Sequence, residues 1–222
     1  MAIIKDIIKT NDRLYRLSSQ ISELSEELNI PSFLVGGCVR DLLIDPSIDS
    51  VDIDIMVEGN AIDYAKKLAK TLGVKTIVPF PEFATARIPY DECEIEVASA
   101  RLESYDSKSR KPKSVDMTDV ISDLKRRDFT VNAIAISLSK DNFGELIDPF
   151  DGLQHLKSKI LKTPDNPDET FSEDPLRMVR AAYFASKLSM DIDKECLQSL
   201  KKNADRIKIV SQERITNIWK KD

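Results

Sequence analysis

Histidine occurs once in the 222 residues, as His155, and that scarcity excludes two classes of function at the outset. A histidine-ligated metal centre and a histidine–aspartate phosphohydrolase both need several imidazoles. Cysteine is nearly as scarce, and Cys38, Cys93 and Cys196 stand too far apart to suggest a zinc site or a disulfide framework. They read as buried or incidental thiols. The chain has no long apolar run of the kind that spans a membrane, and its start carries charges at helical spacing instead of a basic stretch followed by an apolar one. A cytoplasmic protein that makes no use of a membrane is expected. No internal repeat or low-complexity tract appears. A net charge of −5 disfavours binding to a phosphate backbone unless the basic residues are gathered. They are partly gathered between Arg101 and Arg127, at Lys108, Arg110, Lys111, Lys113, Lys125 and Arg126. A metal held by this chain must take carboxylates, which points to magnesium or manganese.

What is present is a periodicity that changes along the chain. Ile3, Ile4, Ile7, Ile8, Leu14, Leu17, Ile21, Leu24 and Leu28 recur at the spacing of an amphipathic helix, with a break near Asn11. Ser32–Val35 reads as a strand, Gly36-Gly37 as a tight turn and Val39–Ile44 as the opening of a helix. Val51–Val57 alternates apolar and acidic residues as a strand does, and Ala61–Leu72 returns to helix before Gly73 ends it. Strands are predicted over Lys75–Val78, Phe83–Ile88, Cys93–Ala98, Asn132–Leu138 and Glu145–Ile147, with a helix from Thr118 to about Arg127. Arg101–Met117, rich in Ser, Lys, Arg and Pro, reads as a mobile surface loop. From Ser172 the pattern is helical over Glu173–Leu188, Asp191–Asn203 and Ser211–Trp219, the first and last opening on a serine suited to an N-cap. The expected fold is α/β (α+β), a small mixed sheet with flanking helices followed by an all-helical region. Its divisions are an N-terminal helical segment 1–30, an α/β domain 31–160 and a helical domain 161–222.

The strongest chemical signal is Gly36-Gly37-Cys38-Val39-Arg40-Asp41 followed by Asp52-Ile53-Asp54 on a strand. Residues i and i+2 of a strand share a face, so Asp52 and Asp54 point one way while Ile53 and Ile55 enter the core. Two such carboxylates can bracket two magnesium ions about 3.5–4 Å apart, the arrangement that activates an attacking hydroxyl and holds a triphosphate for in-line displacement. The Gly36-Gly37 turn lets backbone N–H groups approach phosphates, and Arg40 adds a charged fork. A third carboxylate would complete the site; alternation on the Cys93–Ala98 strand offers Glu96, facing away from Ile95 and Val97, or its neighbour Glu94. Arg127 and Asp128 end a helix just before Asn132 and place a cation and two hydrogen-bonding groups together. The alternative there is structural pairing with Asp123. Asp148 and Asp151 flank a proline and a glycine, which is turn chemistry first. Asp174 and Arg177, one turn apart on the helix from Glu173, offer an acceptor and donors suited to the edge of a base, or else a solvated ion pair.

Together these strings resemble class II tRNA nucleotidyltransferases and bacterial poly(A) polymerases. Gly36 to Asp41 with Asp52 and Asp54 is similar to the family's first motif, Arg126-Arg127-Asp128-Phe129-Thr130-Val131-Asn132-Ala133 to its second, and Asp148-Pro149-Phe150-Asp151-Gly152 to its third. Glu173-Asp174-Pro175-Leu176-Arg177-Met178-Val179-Arg180 resembles the fourth and Ser211-Gln212-Glu213-Arg214-Ile215 the fifth. The resemblance runs from about residue 30 to 216.

It implies a catalytic head followed by a helical neck, and transfer of C, A or both from CTP and ATP to the tRNA 3′ end with two Mg²⁺ ions. Asp52 and Asp54 would hold the metal, with Glu96, selected by the family over Glu94, as the third catalytic carboxylate. Gly36, Gly37, Arg40 and Arg127 would hold the nucleotide, and Asp128 and Asn132 would help hold its sugar end and the fold. Asp174 and Arg177 would template the base, with Arg180 reaching a base or phosphate. Tyr183 departs from the pattern, since many relatives carry arginine there, and Tyr105 in the basic segment offers a ring for stacking. The family continues into a tRNA-gripping helical body and tail, which the rest of the protein or a partner is expected to supply. The alternatives are poly(A) polymerase chemistry and a non-catalytic tRNA- or nucleotide-binding module.

Overall fold

The computed structural model describes residues 8–9, 11–48, 52–91, 93–105 and 112–220, with 102–105 and 112–117 as backbone only. The helical start at Ile3, the strand start at Val51, the basic side chains between Lys108 and Lys113 and the Tyr105 ring therefore lie outside what is described. Among the described residues no helix is long and apolar enough to cross a membrane. The chain divides into two compact units, one drawn from Met1–Leu102, Asp116–Leu124 and Ile134–Pro149, the other from Glu103–Val115, Lys125–Ala133 and Phe150–Asp222.

The first unit holds the sheet. Its strands are β1 (Ser32–Val35), β2 (Ile53–Val57), β3 (Val78–Phe80), β4 (Thr85–Tyr90), β5 (Cys93–Ser99), β8 (Ala135–Ser137) and β9 (Leu146–Ile147), in the order β3-β4-β5-β2-β1-β8-β9. The pairings are antiparallel except β2 with β5, so the mixed sheet expected from the sequence is present. Helices α1 (Asp12–Leu28), α2 (Gly37–Ile44) and α3 (Ala61–Thr71) accompany it.

Asn11 is the break seen in the sequence, because its side chain accepts from Leu14 N–H at 2.9 Å and caps α1. The apolar stripe of α1 (Leu14, Leu17, Ile21, Leu24) and that of α3 (Tyr64, Ala65, Leu68) share one core with Ile53, Ile55 and Val57 of β2, Ile95 and Val97 of β5, and Ala86 and Ile88 of β4. Fully burying each leucine, isoleucine or valine among them contributes roughly 1.5–3 kcal/mol. The consequence for chemistry is directional. With the odd-numbered residues of β2 and β5 committed to the helices, Asp54 and Glu96 are left on the opposite face.

The second unit contains α5 (Gly152–Ser158), α6 (Pro167–Glu173), α7 (Leu176–Lys187), α8 (Lys194–Asn203), α9 (Gln212–Trp219) and a small parallel pair, β10 (Ile160–Leu161) with β11 (Asp191–Ile192). A short α4 (Val120–Lys125), which belongs to the first unit in all but its last residue, precedes a 3₁₀ turn at Thr130–Asn132 in the second.

Several expectations are corrected here. Arg101–Met117 is not a plain loop, because β6 (Arg101–Tyr105) and β7 (Pro112–Met117) pair as a two-stranded ribbon. Such a ladder satisfies its backbone groups without an apolar face, so composition carries no sign of it. The helix read over Glu173–Leu188 is two helices broken at Asp174-Pro175, where Asp174 is extended at φ −128 and ψ 97. Proline has no N–H to give and disfavours helical geometry in the residue before it. Ser172 lies inside α6 and caps nothing, while Ser211 precedes α9 without a side-chain cap bond. The helix read from Asp191 begins at Lys194, because Asp193 caps it through Glu195 N–H and Asp191–Ile192 is engaged with β10.

Candidate active site

Gly36 sits between β1 and α2 with φ 74 and ψ −135, a backbone conformation that only glycine adopts without strain. Its N–H reaches Ile134 O at 3.4 Å, which fixes the turn to the neighbouring chain segment. Gly36→Ala is therefore expected to cost about 1–3 kcal/mol of unfolding free energy, read as a lower denaturation midpoint in urea. Gly37 differs, since a Cβ there would meet Arg40 Nη2 at 3.6 Å, an ordinary contact. Arg40 is 5% exposed, and its fork grips Asp41 through Nε to Oδ1 and Nη2 to Oδ2, both at 2.8 Å.

On the sheet, Asp54 and Glu96 are register partners across the parallel β2–β5 pair. Asp52 lies just before β2, and its Oδ1 accepts from Glu94 N–H at 3.4 Å. The row continues outward, because Arg87 of β4 is the partner of Glu96 and Val78 of β3 the partner of Arg87. Directly opposed residues share a face and touch, and Arg87 Nε donates to Glu96 Oε2 at 2.9 Å while Nη1 stands 3.3 Å from Glu94 Oε1. The guanidinium also lies 5.2 Å from the centre of the Phe80 ring. Arg87 was not foreseen. Alternation in β4 turns it away from Ala86 and Ile88, but its pairing with Glu96 depends on a register that local sequence does not state.

The donors here are carboxylate oxygens, the set that suits a hard cation such as Mg²⁺, and Asp52 and Asp54 are the residues that would hold it. Among the described residues, no three acidic, histidine or cysteine side chains close into a metal-holding group. Glu96 is turned to Arg87 and Asp52 to the β5 backbone.

In the second unit the structure gathers Asp128, Asn132 and Arg180. Asp128, 7% exposed, accepts from Phe129 N–H at 2.9 Å, from Asn132 Nδ2 at 3.0 Å and, through Oδ2, from Arg180 Nε at 2.6 Å. Burial alone pushes its carboxyl up, but the Arg180 charge, the Asn132 and Arg180 hydrogen bonds and the Arg177 charge outweigh it and hold the group below its ordinary value. Asp128 in turn is the main reason that Arg180 is held above its usual range. Arg180 also lies 5.0 Å from the centre of the Phe184 ring. Arg177 is 8% exposed; Nη2 donates to Arg126 O at 2.8 Å and Nη1 to Thr170 O at 3.3 Å. Arg127 Nη1 reaches Asn132 O at 3.4 Å. Asp174 is not one helical turn from Arg177 on a continuous helix. It occupies the break, where Oδ1 accepts from Leu176 N–H at 3.1 Å and its carbonyl from Arg177 N–H at 2.9 Å. Tyr183 is a packing residue, 7% exposed, with its ring 5.7 Å from that of Trp219 in α9.

Residues 32–162 match the model of the poly(A) polymerase head domain. An A-adding tRNA nucleotidyltransferase from Aquifex aeolicus is 42% identical over 170 residues, 77% of this chain and 20% of that protein. A CCA-adding enzyme from Lactobacillus delbrueckii subsp. bulgaricus is 35% identical over 210 residues, 93% of this chain and 50% of that protein. A solved tRNA nucleotidyltransferase complexed with a primer tRNA and an incoming ATP analogue superposes with a TM-score of 0.76 at 36% identity, covering 90% of this chain and 55% of that one. The chain thus spans from a fifth to about half the length of these relatives.

Proposed function

Because this chain belongs to the poly(A) polymerase head-domain family, among the class II tRNA nucleotidyltransferases, we propose that it adds C, A or both from CTP and ATP to the 3′ end of tRNA without a nucleic-acid template. The observation that carries this reading is the pairing of Asp54 with Glu96 on adjacent parallel strands, with Asp52 one step before and the glycine turn opening α2 in the same unit.

In this reading the 3′ hydroxyl of the RNA attacks the α-phosphate and pyrophosphate leaves. Asp52 and Asp54 would hold the Mg²⁺ ions, which when bound would activate the hydroxyl and neutralise charge on the phosphates. Glu96 assists as the third carboxylate. Backbone N–H groups at the start of α2 take the phosphates; nothing in the protein demands glycine at 37, which fits a need for close approach by a ligand. Arg40, braced by Asp41, and Arg127 supply positive charge to the triphosphate. Asp174, Arg177 and Arg180 select the base. The carbonyls of Arg126 and Thr170 fix the Arg177 guanidinium, so its orientation is set before a nucleotide arrives. Asp128 and Asn132 help hold the sugar end and the fold, and Asp128, itself bonded to Asn132, also braces Arg180. Functionally the chain is a head of about 31–160 followed by a neck of 161–222.

Relatives of both names leave two forms of this reading, addition of CCA and addition of A alone. A tRNA lacking CCA and one ending in CC, each given CTP, ATP or both, separate the two. A CCA-adding enzyme extends the first by three nucleotides when both triphosphates are present. An A-adding enzyme leaves the first untouched and adds one A to the second. A long run of A on either would replace both readings with a poly(A) polymerase. No extension and no magnesium-dependent pyrophosphate release would leave a binding module.

A further inference from the structure

Asp52, Asp54, Glu94 and Glu96 occupy neighbouring positions at one end of β2 and β5, and like charges set side by side on a sheet repel. The structure answers that repulsion with Arg87, whose guanidinium takes Glu96 at 2.9 Å and Glu94 at 3.3 Å. These pairs are half-exposed, at 44% for Arg87, 44% for Glu94 and 37% for Glu96. Pairs this accessible to solvent are weak and easily exchanged. Phe80 flanks the same guanidinium at 5.2 Å, so Arg87 keeps both the ring and Glu94 when Glu96 lets go.

We propose that Arg87 is a positioning residue that holds Glu96 out of the metal-ligand set and yields it to an arriving divalent cation, so that guanidinium and metal compete for one carboxylate. This rests on the reading of Asp52, Asp54 and Glu96 as metal carboxylates. It accounts for a guanidinium set across two of four neighbouring carboxylates. While no metal is bound, Arg87 supplies the neutralising charge. When metal arrives, Glu96 exchanges one cation for a doubly charged one, and no buried group is left unpaired.

The test is Mn²⁺ binding to the nucleotide-free protein, measured as free Mn²⁺ by electron paramagnetic resonance. Arg87→Gln is expected to bind Mn²⁺ about fivefold more tightly than the parent, the exchange of an exposed ion pair of about 1 kcal/mol. Arg87→Lys, which keeps the charge, stays near the parent. In a Glu96→Gln background the effect of Arg87→Gln disappears. Unchanged or weaker binding by Arg87→Gln overturns the inference, as does a gain that persists without Glu96. Urea midpoints for each variant show whether the fold is kept, and Arg87→Leu, which also removes the charge but keeps an apolar stem against Phe80, is read in both Glu96 backgrounds with the same expected outcomes should Arg87→Gln fail to fold. If the parent binds no Mn²⁺ at all, the metal reading of Asp52 and Asp54 fails and this inference with it. A parent that binds, with an unresponsive Arg87, sinks this inference alone.

Discussion

Asp54→Ala is expected to lower the rate of nucleotide addition by about a thousandfold or more, with the urea midpoint nearly unchanged. The magnitude follows from what a catalytic divalent ion provides: several kcal/mol of charge stabilisation, at a factor of ten for each 1.36 kcal/mol. The preserved fold follows from position. Asp54 points away from the face where Ile53 and Ile55 meet α1 and α3, so its loss opens no hole in the core. Single-turnover extension of a tRNA primer reads the first quantity and urea titration the second. A variant that extends primer within tenfold of the parent ends the two-metal mechanism, whichever nucleotide the parent adds.

Asp128→Ala should do the reverse and act first on stability. Removing the carboxylate leaves the Asn132 amide and the Phe129 N–H without their acceptor and Arg180 without its counter-charge. Breaking a fully buried pair costs about 3–5 kcal/mol, and the 38% exposure of the Arg180 side chain reduces this to about 2–3 kcal/mol. The pH dependence has a definite sign. A carboxyl whose folded value is depressed contributes its stability above the unfolded value, near pH 4, and loses it as pH falls from there through the lower folded value. Urea unfolding of parent and Asp128→Asn at neutral pH and below pH 4 should therefore show a gap that narrows in acid. A gap independent of pH would mean that the Asp128 charge contributes nothing beyond its shape.

The residues differ in how openly their neighbourhoods are written in the chain. Asp54 and Glu96 each stand between buried apolar neighbours, so the face each takes within its own strand follows from local pattern, while their pairing across strands does not. The glycine turn is equally local, because Gly36 needs a backbone geometry closed to other residues. The break at Asp174-Pro175 was also there to be read. A proline just past an acidic pair argues against helix, but the apolar spacing on either side runs through it and suggests one continuous element. Arg87 and the Asp128–Arg180 pair lie beyond any local reading. One depends on which β4 residue is placed opposite Glu96, the other on two residues 52 positions apart that only tertiary folding brings together. The ribbon at Arg101–Met117 shows the same limit, since ladder hydrogen bonds leave no mark on composition.

Trp219, the one tryptophan of the chain, lies at the end of α9 with its ring half open to water and set edge-on to the buried ring of Tyr183 in α7. All indole fluorescence of the protein therefore originates at that aromatic pair. Emission wavelength and quenching by solutes report how firmly the last helix is held to α7, with no label attached. The strands bearing the carboxylates contain no indole, so denaturation followed by this light tracks the helical unit.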